Sequence, residues 1–210
     1  MTANLEPRRA TFRSFAESTK EDWYDLTEQY KVVQGRVASQ VIEQLEKLRG
    51  EFLGYPVDRL EHSLQTATRA ERDGRDEEYV VCALVHDIGD SLAPDNHEAI
   101  AASVLKPFVS PANYWMVAHH GIFQGYYFWN HIGLNKNARD EYRDHEHYAL
   151  AEEFCAKYDQ VSFDVDYKSE PLEHFVPLLH KFFAIKQFLV RQSACALQPC
   201  RPREPNENNE

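Results

Sequence analysis

Glycine is scarce in this chain, 8 residues in 210, and runs that alternate apolar with polar residues are scarcer still. Both shortages argue against a fold built on strands and tight hairpins. Cysteine is also rare. The four present are Cys82, Cys155, Cys195 and Cys200, and no two form a C-x-x-C pair, which argues against a structural zinc site built from thiolates. Cys82 and Cys155 sit inside apolar stretches and read as small core residues. Positive charge is under-represented, with 23 Lys and Arg against 34 Asp and Glu, so the formal net charge is -11. A nucleic-acid partner, which needs clustered cations, is not expected. No apolar run approaches the roughly 18–20 residues of a membrane span. The opening MTANLEPRRATF lacks the apolar core of a signal peptide. The expectation is a cytoplasmic protein that engages neither nucleic acid nor membrane.

What is present is helical periodicity. Between Glu21 and Arg49, Leu26, Tyr30, Val33, Val37, Val41, Leu45 and Leu48 recur at intervals of three and four, which predicts one long amphipathic helix. Gly50, Gly54 and Pro56 then interrupt the chain. A second helix is expected from about Val57, with Leu60, Leu64 and Ala67 on its buried side. The stretch Tyr79–Val85 is apolar all round, so the segment Glu77–Ile88 should run through the middle of the fold. Its β-branched content also permits a buried strand. Helix is preferred, because Gly89 offers a stop and no partner strand is evident. Further helices are predicted over Asp95–Lys106, after the cap-and-proline pair Ser110-Pro111, over Glu146–Tyr158, and over Leu172–Val190. Residues 1–20 read as a flexible N-terminus, 21–197 as one all-α domain, and 198–210 as a disordered polar tail.

The chain holds 10 histidines, and several stand at telling places. His86-Asp87 closes the most apolar helix, where an aspartate costs several kcal/mol unless a cation offsets it. His62, His97 and His120 fall on three other predicted helices, and Asp159 closes a fourth. Imidazole and carboxylate donors from separate helices are how a bundle builds a dinuclear metal site. His119 adjoins His120 and points about 100° away from it on a helix, so the two are alternatives for one ligand position.

Taken together, Leu60-Glu61-His62-Ser63-Leu64-Gln65-Thr66-Ala67, His86-Asp87-Ile88-Gly89, His97-Glu98-Ala99, His120 and Tyr158-Asp159 resemble the ligand series of the HD superfamily. The chain is most similar to its mixed-valent diiron oxygenase branch, which includes myo-inositol oxygenase and the organophosphonate-cleaving enzymes. The resemblance covers about residues 52–160. It implies an HD-type helical bundle with the metal site between central helices. It also implies two iron ions, Fe(II)/Fe(III), with His62, His86 and Asp159 on one, His97 and His120 on the other, and Asp87 bridging. The activity it implies is oxidation or cleavage, with O2, of a small polar hydroxylated or amino compound.

Three departures from the branch bear on substrate. Gln124 stands where the phosphonate enzymes carry a Lys, Tyr55 where they carry a Glu, and Asp90 where many phosphohydrolases and myo-inositol oxygenase carry a Lys. A lost cation weakens dianion binding, so a neutral, zwitterionic or cationic substrate is expected. The aromatic run Phe123, Tyr126, Tyr127, Phe128 and Trp129 offers faces to a cation. Tyr55, His119, Gln124 and Tyr126 are the expected substrate contacts, and Asp87, Tyr55 and Gln124 the expected catalytic set. The alternative is an HD phosphohydrolase, loaded with Mn or Zn and acting on a phosphate ester or nucleotide, with Arg59 and Arg69 as phosphate ligands.

Overall fold

A computed structural model describes residues 9–194, with side chains up to Ala184, and is helical among the described residues, with no strand. Residues 198–210, Cys195 and Cys200 lie outside that span. The expected long helix over Glu21–Arg49 is two helices, α1 (Lys20–Gln34) and α2 (Val37–Glu46). The break falls at Gly35-Arg36, where the Arg36 amide turns back to the Val33 carbonyl at 2.9 Å. Glycine is a poor helix former, but burial decides the matter. Helix α2 sends Ala38, Val41 and Leu45 into the core, whereas α1 leaves Tyr24, Tyr30 and Val33 exposed. The apolar spacing runs through both helices while the buried face does not.

Helix α3 (Arg59–Arg72) starts at Asp58, whose carboxylate accepts from the Glu61 amide at 2.7 Å. It buries not only Leu60, Leu64 and Ala67 but also His62, Ser63, Gln65, Thr66 and Thr68. Such polar burial is tolerated because it is bonded. The Ser63 and Thr66 hydroxyls donate to the Arg59 and His62 carbonyls one turn back. Helix α4 (Glu77–Val85), capped by Asp76, is the central element, and every residue from Tyr79 to Val85 is buried. It packs on α3 and on α8 (Leu172–Ala194), which also covers α2. Helices α5 (His97–Leu105), α6 (Pro111–Phe128) and α7 (Tyr148–Phe154) pack in sequence, with α6 also against α4. The segment Cys155–Asp159 continues α7 as a π-turn, in which the Gln160 amide reaches the Cys155 carbonyl at 3.1 Å. No described helix is long and apolar enough to cross a membrane.

Gly89 has a different use from the helix stop expected of it. Helix α4 already ends at Val85, and Gly89 lies where a Cβ would stand 2.5 Å from the His97 carbonyl oxygen. The glycine lets the turn after α4 lie flush against the start of α5. Gly89→Ala should therefore force two backbones apart and cost about 2–3 kcal/mol, in the upper range for overpacking. Thermal unfolding of the purified variant reads the cost, and metal content should fall with it because His97 moves away from His86-Asp87.

Candidate metal centre

Five helical segments deliver six donors to one buried point: His62 from α3, His86 and Asp87 from the turn after α4, His97 from the first residue of α5, His120 from α6, and Asp159 from the π-turn. All but His97 are at most 1% exposed. Their hydrogen bonds fix the tautomers. The Nδ1 atoms of His62, His86, His97 and His120 donate to the carbonyls of Ser162, Ala83, Pro94 and Val117, at 3.0, 2.8, 2.8 and 2.8 Å. A carbonyl only accepts, so each Nδ1 carries the proton and each Nε2 offers a lone pair inward.

Those lone pairs face one another. His62 Nε2 and His86 Nε2 are 3.2 Å apart, as are His97 Nε2 and His120 Nε2. Asp87 stands between the two pairs and divides its oxygens. Oδ2 lies 3.2 Å from both His62 Nε2 and His86 Nε2, while Oδ1 lies 3.2 Å from His97 and 3.1 Å from His120. Asp159 Oδ1 closes the first pair at 3.3 and 3.7 Å. Two donors each about 2.1 Å from one ion, at a right angle, sit roughly 3 Å apart. The spacing and chemistry of these groups therefore fit two cations, with one carboxylate oriented toward both. Protons are the alternative charge carriers. Burial opposes a charge on His86, but Asp87 and Asp159 outweigh it and push its pKa up to about 10. Burial likewise opposes charge on His97, and Asp87 raises it to about 9. The pocket is built to hold positive charge in either form.

Further contacts set these groups. The Arg59 guanidinium is buried and donates to Asp87 Oδ2, and through Nε to Asp90 Oδ2 at 2.5 Å. Burial alone would raise the Asp87 carboxyl pKa, yet His86 and Arg59 hold it well below the usual carboxylate range. Asp90 moves the other way, raised by burial and by its neighbour Asp87. The Gln124 amide donates to Asp159 Oδ1 at 2.6 Å. Phe163 stacks on the His62 ring at 4.4 Å, and Tyr55 stacks on Phe163 at 5.1 Å.

The other expected site residues divide. Tyr55 and Gln124 line a cavity of about 350 Å³ that reaches His97. Of the adjacent histidines, His120 reaches the cluster, whereas His119 stacks on Trp115 at 4.2 Å and donates to its carbonyl. Tyr126 lies under Arg139, 3.7 Å from its guanidinium, and is not among the residues that border the cavity. The aromatic run splits likewise, with Phe123 fully buried in the core and Phe128 and Trp129 at the cavity. Arg59 is committed to Asp87 and Asp90, and Arg69 to Tyr167 and the Val161 carbonyl. Arg59 is thus spent on the two carboxylates, and Arg69 borders a different cavity, beside Arg72 and Lys157. Sequence reasoning missed Arg59 as a partner of Asp87, and missed Ser162 and Phe163. Phe163 follows Asp159 by four residues, but only the loop's return onto α3 brings it to His62. Gln65, three residues after His62, ties that loop down by donating to the Asp164 carbonyl at 2.8 Å.

The family model for the HD domain matches residues 59–167, and the chain belongs to that family. Its helical architecture and the ordered His/Asp series agree with that assignment. The chain is also similar to the [1-hydroxy-2-(trimethylamino)ethyl]phosphonate dioxygenase (glycine-betaine-forming) of Leisingera caerulea, at 44% identity over 69 residues, covering 28% of this chain and 35% of the relative. The chain thus matches about a third of that relative's length.

Arg59→Met should leave Asp87 and Asp90 as adjacent buried carboxylates with no cation between them. After chelator treatment, urea unfolding should show a loss of about 3–5 kcal/mol, the range for a broken buried pair. With metal restored the loss should shrink, because an ion again faces Asp87.

Proposed function

We propose that this protein is a diiron oxygenase that uses O2 to oxidise or cleave a small polar hydroxylated or amino compound. The observation that carries the reading is the divided Asp87 carboxylate, with one oxygen on the His62–His86 pair and the other on the His97–His120 pair. In this reading His62, His86 and Asp159 hold one iron, His97 and His120 the other, and Asp87 both. The partial likeness to a dioxygenase supports oxygen chemistry over hydrolysis. So does the engagement of Arg59, whose guanidinium is held by Asp87 and Asp90, and the placing of Arg69 at a cavity other than the one that reaches His97.

A mixed-valent Fe(II)/Fe(III) pair bound here would supply activation of dioxygen and removal of hydrogen from a carbon beside a hydroxyl or amine. The chain's own residues do the rest. Arg59 holds the plane of Asp87 so that both oxygens stay divided, and Gln124 holds Asp159 toward His62 and His86. The backbone carbonyls on the four Nδ1 atoms keep the rings from turning. Phe163 shields His62 from water, and Tyr55 covers Phe163 at the cavity mouth, where substrate enters beside His97.

Protein purified in air should carry about two irons per chain, as bundle diiron sites do, and show a mixed-valent electron paramagnetic resonance signal. Adding substrate should change that signal and draw down oxygen. Asp87→Ala should abolish iron loading and oxygen uptake together. A protein that holds only zinc or manganese and hydrolyses phosphate esters would instead be the HD phosphohydrolase, and the proposal would fall. Gln124→Leu, which unties Asp159, should lower the iron content with little loss of stability, read by metal analysis beside thermal unfolding.

A further inference from the structure

The cavity that reaches His97 is bounded by α5, α6 and the loops carrying Tyr55 and Phe163. Its charged lining is unequal. Asp90, Asp95 and Glu98 contribute carboxylates, Arg59 is the one Lys or Arg among the described lining residues, and His97 borders the cavity at the centre. That guanidinium is taken up by Asp87 and Asp90, so away from the centre the described lining offers an anion no free Lys or Arg. Glu98 is placed differently. Its carboxylate lies against α6 at Gly121, where a Cβ would stand 3.6 Å from Oε1. Its ion-pair neighbour is His97 Nδ1 at 3.5 Å, a nitrogen whose proton already goes to the Pro94 carbonyl. The remaining walls include the aromatic rings of Tyr55, Phe128, Trp129 and Phe163. Carboxylates beside aromatic faces form a setting that attracts a cation, by charge and by the ring quadrupole together. Away from the centre a dianion would meet three carboxylates and could reach Arg59 only by displacing Asp90.

We infer that this cavity receives the ammonium end of a cationic amine substrate, with Glu98 as its counter-charge, and that it rejects phosphate and phosphonate groups. The inference rests on the proposed function, since it places the substrate's hydroxyl-bearing end toward His97 and the centre. Glu98 is then a specificity-determining residue.

Three matched probes test it by calorimetry on the iron-loaded protein under anaerobic conditions. They are choline, its uncharged isostere 3,3-dimethylbutan-1-ol, and 2-hydroxyethylphosphonate. Choline should bind about tenfold more tightly than the isostere, the size of a partly desolvated cation–aromatic and ion-pair contact, and the phosphonate should bind most weakly. Glu98→Gln should bring choline and the isostere to within about twofold, with iron content and the mixed-valent signal unchanged. Equal binding of choline and the isostere overturns the inference, as does tighter binding of the phosphonate or no binding by any of the three. Iron analysis of the same samples separates the two readings. Two irons without a choline preference sinks this inference alone, whereas protein lacking the iron pair sinks the oxygenase reading first.

Discussion

At the middle of this fold sits an almost wholly buried carboxylate, and four imidazole nitrogens and a guanidinium converge on its two oxygens. A lone buried carboxylate is among the most costly groups a protein can carry. Asp87 is tolerated because Arg59 faces it from one side and a cluster of nitrogens, arranged for cations, faces it from the others. The same carboxylate also divides the imidazoles into two pairs. Stability and chemistry thus draw on one group, and the helices around it are arranged accordingly.

That arrangement uses helix ends. His86 and Asp87 follow the last residue of α4, His97 is the first residue of α5, and Asp159 is the last residue of the π-turn. A residue at a helix end can reach inward without opening the helix, and its ring can bond a carbonyl about one turn back. His86 bonds Ala83 and His97 bonds Pro94, each three residues earlier, and His120, in the middle of α6, bonds Val117 at the same spacing. His62 departs from this pattern and bonds Ser162 in the distant loop instead. The loop after the π-turn is therefore part of the centre. Inserted turns of this kind recur at functional sites, and here the extra residue carries Asp159 round to His62 and His86.

Local signals made the helices readable, and long-range contacts explain what was not readable. The pair Ser110-Pro111, the apolar run Tyr79–Val85 and the spacing of Leu60, Leu64 and Ala67 announce α6, α4 and α3 from neighbouring residues alone. The split of α1 from α2 was hidden because Val33 and Val37 keep helical spacing across Gly35, and periodicity does not say which apolar residues find a partner. The six His and Asp positions were legible from residue type and order, and the structure brings them to one point. Arg59 was not legible as their neighbour. Its partners lie 28 and 31 residues away, and an arginine on an amphipathic helix ordinarily reads as a solvated residue. Tyr126 misled in the opposite sense. It belongs to an aromatic run that wraps around α6, so neighbours in sequence face different surroundings, and Arg139 draws this one away from the cavity.

Arg59 also explains why the departures at Tyr55, Asp90 and Gln124 belong together. With Asp90 in place, a buried guanidinium bridges two carboxylates and is spent on holding Asp87. With Gln124 in place, α6 offers Asp159 a neutral amide donor and offers the cavity no cation. With Tyr55 in place, the loop contributes an aromatic face that stacks on Phe163, and the Arg59 guanidinium lies 5.1 Å from that ring. Each position alone changes one contact. Jointly they move positive charge out of the substrate space and into the support of the centre, leaving carboxylates and rings at the surface a substrate would meet. A binding space with that balance selects by charge before it selects by shape.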